Sequence, residues 1–257
     1  MRGMMPDAAY FDQWYGDMVA SPARDAIIIR AMGLPPELQD VGTLTGPGLA
    51  EVTEELRLPA GGLLLDVACG RGAYGIEVAR RTGARLIGVD FSAVAVEQAR
   101  SIGARRLPAG RAEFRVGTLL ATGLPGGAAD GLMCVDAVQF GEPPVAALRE
   151  FARLLKPGGR LALTCWEAVD PADDRVPPRI KAVHLQRDLP EAGFTDVRVH
   201  ERPVWREAER VMWEAALAAP GSDPAVRSLQ AEGRRSLETF DSLRRVFATA
   251  TAPGPER

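Results

Sequence analysis

From Leu63 onward the chain alternates short apolar runs with helical patterns, and this alternation restricts the fold more than any other feature of the 257 residues. The apolar runs are Leu63–Ala68, Arg85–Asp90, Ala112–Gly117, Ala129–Asp136, Arg160–Glu167, Asp196–Glu201 and Leu243–Thr251. Helical patterns over Ala73–Arg81, from a Ser92 cap to about Ser101, and over Pro143–Leu155 fall between them, with Gly103 expected to stop the second. A further helix closes at Pro190–Gly193. Strands separated by helix-length connections pair in parallel, so the pattern predicts an open α/β sheet with crossover helices. The sheet-forming core starts about 60 residues in. Residues 1–60 are read as an amino-terminal helical lid and 61–257 as the core. A chain of this length can bury such a core as one domain with appendages.

Composition narrows the possible partners. Apolar residues make up 46% and charged residues 25%, the balance of a soluble globular protein. A net charge of −3 supplies no basic field for a phosphate backbone, which argues against nucleic acid and in favour of a small-molecule acceptor. No apolar run reaches 18 residues, and Asp7, Asp12 and Asp17 occupy the first 20, so neither a membrane span nor a targeting leader is expected and the protein reads as cytoplasmic. Cys69, Cys134 and Cys165 show no paired spacing and no adjacent His, and read as buried thiols. Asp136 with Glu167 or Asp170 makes no convincing metal triad, so no metal is expected.

The turn after the first apolar run is "LLLDVACGRGAYG", with Gly70, Gly72 and Gly75 at the spacing of a dinucleotide fingerprint. Ligands of open α/β sheets bind at the carboxyl ends of the strands, and glycines there let a backbone approach its ligand closely. Asp90 ends the second run twenty residues beyond Gly70, where a carboxylate can accept from both ribose hydroxyls; a helix-capping acid is the alternative. Asp66 separates two cofactor classes. Four positions before Gly70, it would repel a pyrophosphate but favour an amino group, which disfavours a nicotinamide dinucleotide.

Four segments carry a resemblance. "DVACGRG", "GVDFS", "ADGLMCVDAVQF" and "LLKPGG" are similar to the motifs of the class I methyltransferases that use S-adenosylmethionine, over Leu63 to about Glu167. The resemblance implies a Rossmann-like, doubly wound sheet of seven mostly parallel strands, the seventh antiparallel between the fifth and sixth. It implies that Gly70 and Gly72 pass the methionine and ribose part of S-adenosylmethionine, with Ala68 and Cys69 in the same turn. Asp90 would hold the ribose and Asp66 would act near the amino group. Phe91 would face the adenine, Thr118 and Leu119 would stand at its edge, and Asp136 would meet the methionine part. Two positions depart from the pattern. Ala68 stands where the family often has glycine, and Thr118 where an Asp usually meets the adenine.

That topology also places residues 202–242 over the active-site edge. This connection is far longer than a hairpin loop and carries Trp205, Met212 and Trp213, so it is read as a helical substrate cap, broken at Pro220-Gly221. The amino-terminal "AAYFDQWYGDM" sets Tyr10, Phe11, Trp14 and Tyr15 on a helical pattern. Tyr15 is the favoured pocket residue among them, while Phe11 and Trp14 read as docking residues. Gln139 and Trp166 are candidates for the pocket floor, with Trp205 and Trp213 in its cap. Methyl transfer from a sulfonium needs a base only where the acceptor must lose a proton. His200 and His184, the two histidines, are the candidates. The expectation is methylation of a small specialised metabolite, O-methylation slightly ahead. Alternatives are a cyclase or rearrangement catalyst that keeps the cofactor, a dehydrogenase, or a pure binding protein; a homodimer is possible.

Overall fold

The computed structural model describes residues 8–17, 21–38, 42–221 and 223–254. Seven strands form one sheet: β1 (Leu63–Val67), β2 (Arg85–Asp90), β3 (Ala112–Val116), β4 (Ala129–Val135), β5 (Leu155–Ala168), β6 (Thr195–Glu201) and β7 (Leu243–Thr251). Their order is β3-β2-β1-β4-β5-β7-β6. All neighbours are parallel except β7, which runs antiparallel to both β5 and β6. The strand order reverses between β1 and β4, opening a crevice at their carboxyl ends.

Helices cover both faces. Successive side chains of a strand point to opposite sides, so β1 sends Leu64 and Asp66 one way and Leu65 and Val67 the other. Leu65, Val67, Leu132, Cys134 and Leu163 pack with α6 (Pro144–Leu154) and α8 (Leu185–Glu191). Leu64, Leu86, Met133 and Phe247 pack on the other face with α3 (Gly46–Glu55), α4 (Ala73–Thr82) and α5 (Ala93–Arg106). On that same face a helical layer of α2 (Pro22–Met32), α9 (Pro203–Ala218) and α10 (Pro224–Glu238) covers β7. The remaining helices are α1 (Ala8–Asp17) and the single turn α7 (Pro178–Lys181).

Element boundaries follow the pattern closely, except that β5 begins at Leu155 instead of Arg160 and that α5 runs past its expected stop. Gly103 does not end α5 but lies buried inside it, because a Cβ there would sit 2.8 Å from the Phe114 ring of β3. The glycine admits an aromatic ring between helix and strand. Among the described residues no helix is long and apolar enough to cross a membrane, and the three cysteines are buried free thiols.

Candidate active site

The loops that leave β1, β2, β3 and β4 at their carboxyl ends converge on one cavity of about 440 Å³. The β1 loop folds into it through left-handed backbone: Gly70 has φ +53 and Gly72 φ +77. Gly70 also lies under Tyr15, whose hydroxyl would be 2.7 Å from a Cβ at that position. The third glycine has a different task. A Cβ on Gly75 would fall 2.5 Å from Oδ2 of Asp66, so Gly75 lets α4 close onto the strand while the buried carboxylate stays in place.

Asp90 ties the first two loops together. Its Oδ2 accepts from the Gly70 amide at 2.8 Å and its Oδ1 from the Ser92 amide at 2.9 Å. Burial raises its pKa, and the amides of Ser92 and Gly70 work against that rise by favouring the anion. Each oxygen keeps acceptor capacity for a further donor. Capping and ligand binding are thus compatible uses of one side chain.

Asp136 follows β4 with φ +56. Its Oδ1 accepts from the Thr164 hydroxyl at 2.7 Å and its Oδ2 from Nη2 of Arg245 at 2.7 Å. Arg245 is fully buried in β7, stacks over Trp166 at 5.2 Å, and lies 3.6 Å from Oε2 of Glu209 on α9. Glu209 accepts from Trp213 Nε1 at 3.2 Å.

Helix α1 supplies one wall. Phe11 lies 5.2 Å from Phe91 and 6.0 Å from Phe140 between ring centroids. Asp12 accepts from the Ser92 hydroxyl, and Gln98 donates to the Tyr15 carbonyl at 3.2 Å, so α1 is hydrogen-bonded to the start of α5. Phe11, Trp14 and Tyr15 all line the cavity, where only Tyr15 is favoured by the sequence.

Of the residues expected at the cofactor, the cavity wall includes Asp66, Ala68, Cys69, Gly70, Asp90, Phe91, Thr118, Leu119 and Asp136. Gly72 is not in the wall; a Cβ there would meet the Phe114 ring at 2.7 Å, so it serves core packing and starts α4. Thr118 turns its hydroxyl to its own loop, accepting from the Ala121 amide at 3.0 Å.

The substrate-side expectations fare differently. Trp205 packs on Phe247 at 5.6 Å, and Trp213 packs against Gly233 of α10, both inside the core. Their rings are spent on seating α9, which takes them away from the cavity wall. Trp166 is likewise engaged with Arg245 and Phe240. Gln139 is buried just behind the wall, donating to the Asp136 carbonyl at 2.6 Å. Neither histidine reaches the cavity: His184 is exposed and caps α8, accepting from the Arg187 amide, while His200 is exposed on the edge strand β6. The sequence reading missed Tyr74, Leu120 and Phe140 in the wall, and Thr43, Glu209 and Arg245 behind it. A signal existed for Glu209. It interrupts the apolar stripe Trp205, Met212, Trp213 and Ala216 of α9 as the one acid on that face.

Three carboxylates and, among the described residues, no Lys, Arg or His line the cavity. This wall suits a cationic, amino-bearing ligand and opposes a pyrophosphate.

Residues 64–159 match the family model described as a methyltransferase domain. Over 216 residues the chain is 28% identical to an O-methyltransferase of Aspergillus sclerotiorum, spanning 78% of this chain and 79% of that protein. Over 186 residues it is 32% identical to an O-methyltransferase of Penicillium expansum, spanning 65% of this chain and 67% of that protein. Among solved structures, the [4+2]-cyclase SpnF superposes with a TM-score of 0.70 at 22% identity, covering 98% of each chain.

Proposed function

Because the chain belongs to the class I S-adenosylmethionine-dependent methyltransferases, we propose that it methylates an oxygen of a small, largely apolar acceptor. The observation that carries this reading is the cavity itself: acidic toward its floor, aromatic toward α1, and without a cation in its described wall. The two O-methyltransferases named above support oxygen over nitrogen or carbon as the accepting atom.

In this reading Asp90 accepts from the ribose hydroxyls and Asp66 acts near the amino group. The Ala68–Gly70 backbone borders the methionine part, and Phe91 with Leu119 borders the adenine. The bound cofactor supplies a sulfonium methyl group. Alignment and exclusion of water account for much of the acceleration of such an in-line transfer, on the order of 7 to 11 kcal/mol for well-oriented reactants. Phe11, Tyr15 and Phe140 exclude water from the acceptor side.

Calorimetry with S-adenosylmethionine and NAD, together with labelled-methyl transfer to a panel of hydroxyl and amine acceptors, tests the reading. Binding of S-adenosylmethionine in the micromolar range, no heat from NAD, and label on oxygen are expected. Cofactor binding with no transfer to any acceptor would support the cyclase alternative instead. Asp90→Ala removes two charge-assisted hydrogen bonds, each worth roughly 1.5–3 kcal/mol, and is expected to weaken the cofactor tenfold or more.

A further inference from the structure

Transfer of a methyl group to a hydroxyl breaks the sulfur–carbon bond, forms an oxygen–carbon bond and sets free one proton. The cavity wall contains no histidine to take it among the described residues. A connected set of side chains runs from that wall into the protein behind it. Asp136 is the member that reaches the cavity. The Thr43 hydroxyl donates to its Oδ2 at 3.4 Å. Thr43 also lies beside Glu209, whose Oε2 is buried without a hydrogen-bond partner.

We propose that Glu209 is the terminal acceptor of the proton lost by the acceptor hydroxyl, with Asp136 receiving it at the cavity wall and Thr43 passing it on. The proposal rests on oxygen being the methylated atom. The step balances: the hydroxyl proton moves to Asp136 as the oxygen–carbon bond forms, Asp136 gives a proton to the Thr43 oxygen, and Thr43 gives its own to Glu209. The sulfur leaves as a neutral thioether.

The surroundings of Glu209 fit this use. Its Oε1 is held by Trp213 Nε1, which fixes the side chain and leaves Oε2, 3.6 Å from Arg245, without a hydrogen bond. Burial pushes its carboxyl up to about 7; Asp136 adds to the rise, while Arg245, Thr43 and Trp213 oppose it. Such a group takes up a proton near neutral pH and gives it back. Arg245 of β7 and Asp136 after β4 are the charged groups that act on it most. Elsewhere around α9, Arg24 of α2 and Glu232 of α10 act on one another, and Arg206 and Arg210 of α9 itself bind Asp241. Arg245 cannot carry the proton, because a guanidinium stays protonated in proteins. Its place between the two carboxylates keeps both near one cation while the threonine supplies the path.

Single-turnover methyl transfer from labelled S-adenosylmethionine to 1-naphthol, with 1-naphthylamine as the nitrogen counterpart, tests the relay across pH 5.5–9.5. The wild-type rate is expected to rise roughly tenfold per pH unit below the Glu209 transition and then level off. Glu209→Gln keeps the oxygen that accepts from Trp213 and is expected to lose about 10²- to 10⁴-fold in rate together with that inflection. Thr43→Val leaves both carboxylates in place and is expected to lose at least about tenfold, with cofactor binding and Tm close to wild type. A wild type that methylates naphthol, with both variants keeping its rate and pH profile, overturns the relay alone. Methylation of the naphthylamine only overturns the oxygen reading and the relay with it. Carbon-13 NMR of glutamate-labelled protein, assigned by the signal missing in Glu209→Gln, gives a readout that needs no acceptor. A Glu209 carboxyl that titrates near neutrality supports the proposal, and one that stays ionised throughout overturns it.

Discussion

At the scale of single residues, two of the buried glutamates, Glu209 and Glu77, should leave opposite marks on stability. Glu209 has its pKa raised from 4.5 to about 7, chiefly by burial. Its contribution is therefore fully present below pH 4.5 and is lost as pH rises through 7, a change on the order of 3 kcal/mol. Glu77 is the reverse case. Arg80 and Arg81 hold its carboxyl down at about 2, and Arg106 joins them, so its contribution is present above 4.5 and is lost as pH falls toward 2. Denaturant unfolding from pH 3 to 8 should show Glu209→Gln flattening the neutral limb and Glu77→Gln the acid limb. If Glu209→Gln keeps the full slope between pH 5 and 7, this protonation is not what couples that range to folding. The histidines give a separate test. His184→Ala, His200→Ala and the double variant should keep turnover within about twofold of wild type, because neither side chain is in the cavity wall; a loss of the roughly 10²-fold or more that removing a general base produces would put one back into the chemistry.

At the scale of elements, α9 and α10 hold the helical layer together and do not line the cavity. Trp205 sits against Phe247, and Trp213 against Gly233, so Trp205→Ala or Trp213→Ala should cost about 3–5 kcal/mol of stability. A loss confined to the Michaelis constant for the acceptor, at unchanged Tm, would restore the cap reading. The contrast shows what the sequence could convey. Strand and helix positions follow from local periodicity, and the cofactor turn from spacing, because both are properties of neighbours in the chain. Which face of an aromatic helix meets core and which meets ligand depends on residues far away, here Phe247 for Trp205 and Arg245 for Glu209. Gly103 illustrates the same limit: its reason, the Phe114 ring, lies on the next strand. Phe11 and Trp14 read as docking residues from their helical spacing alone, and the structure has them dock and line the cavity at once.

At the scale of the whole molecule, the cavity draws on two separate bodies of structure. The half assigned above to the cofactor comes from four consecutive strand ends, β1 to β4, within about 80 residues of chain, and three of the four motifs that carry the family resemblance lie there, "LLKPGG" following later. The half proposed for the acceptor is walled by α1, and Asp136 is braced from behind the wall by Arg245 of β7, which also lies 3.6 Å from Glu209 of α9. Asp12 of α1 meets Ser92, 80 residues later, and Arg245 meets Asp136 across 109. Chain synthesis therefore makes the two members of each pair at well-separated times. Helix α1 emerges before any of the loops it will cover, and Arg245 only after the rest of the sheet has left the ribosome. A nascent chain halted after β4 would already contain the residues assigned to the cofactor, yet no Arg245 to hold Asp136 in place. The residues assigned to the methyl donor are thus all in the chain well before the cation that braces Asp136.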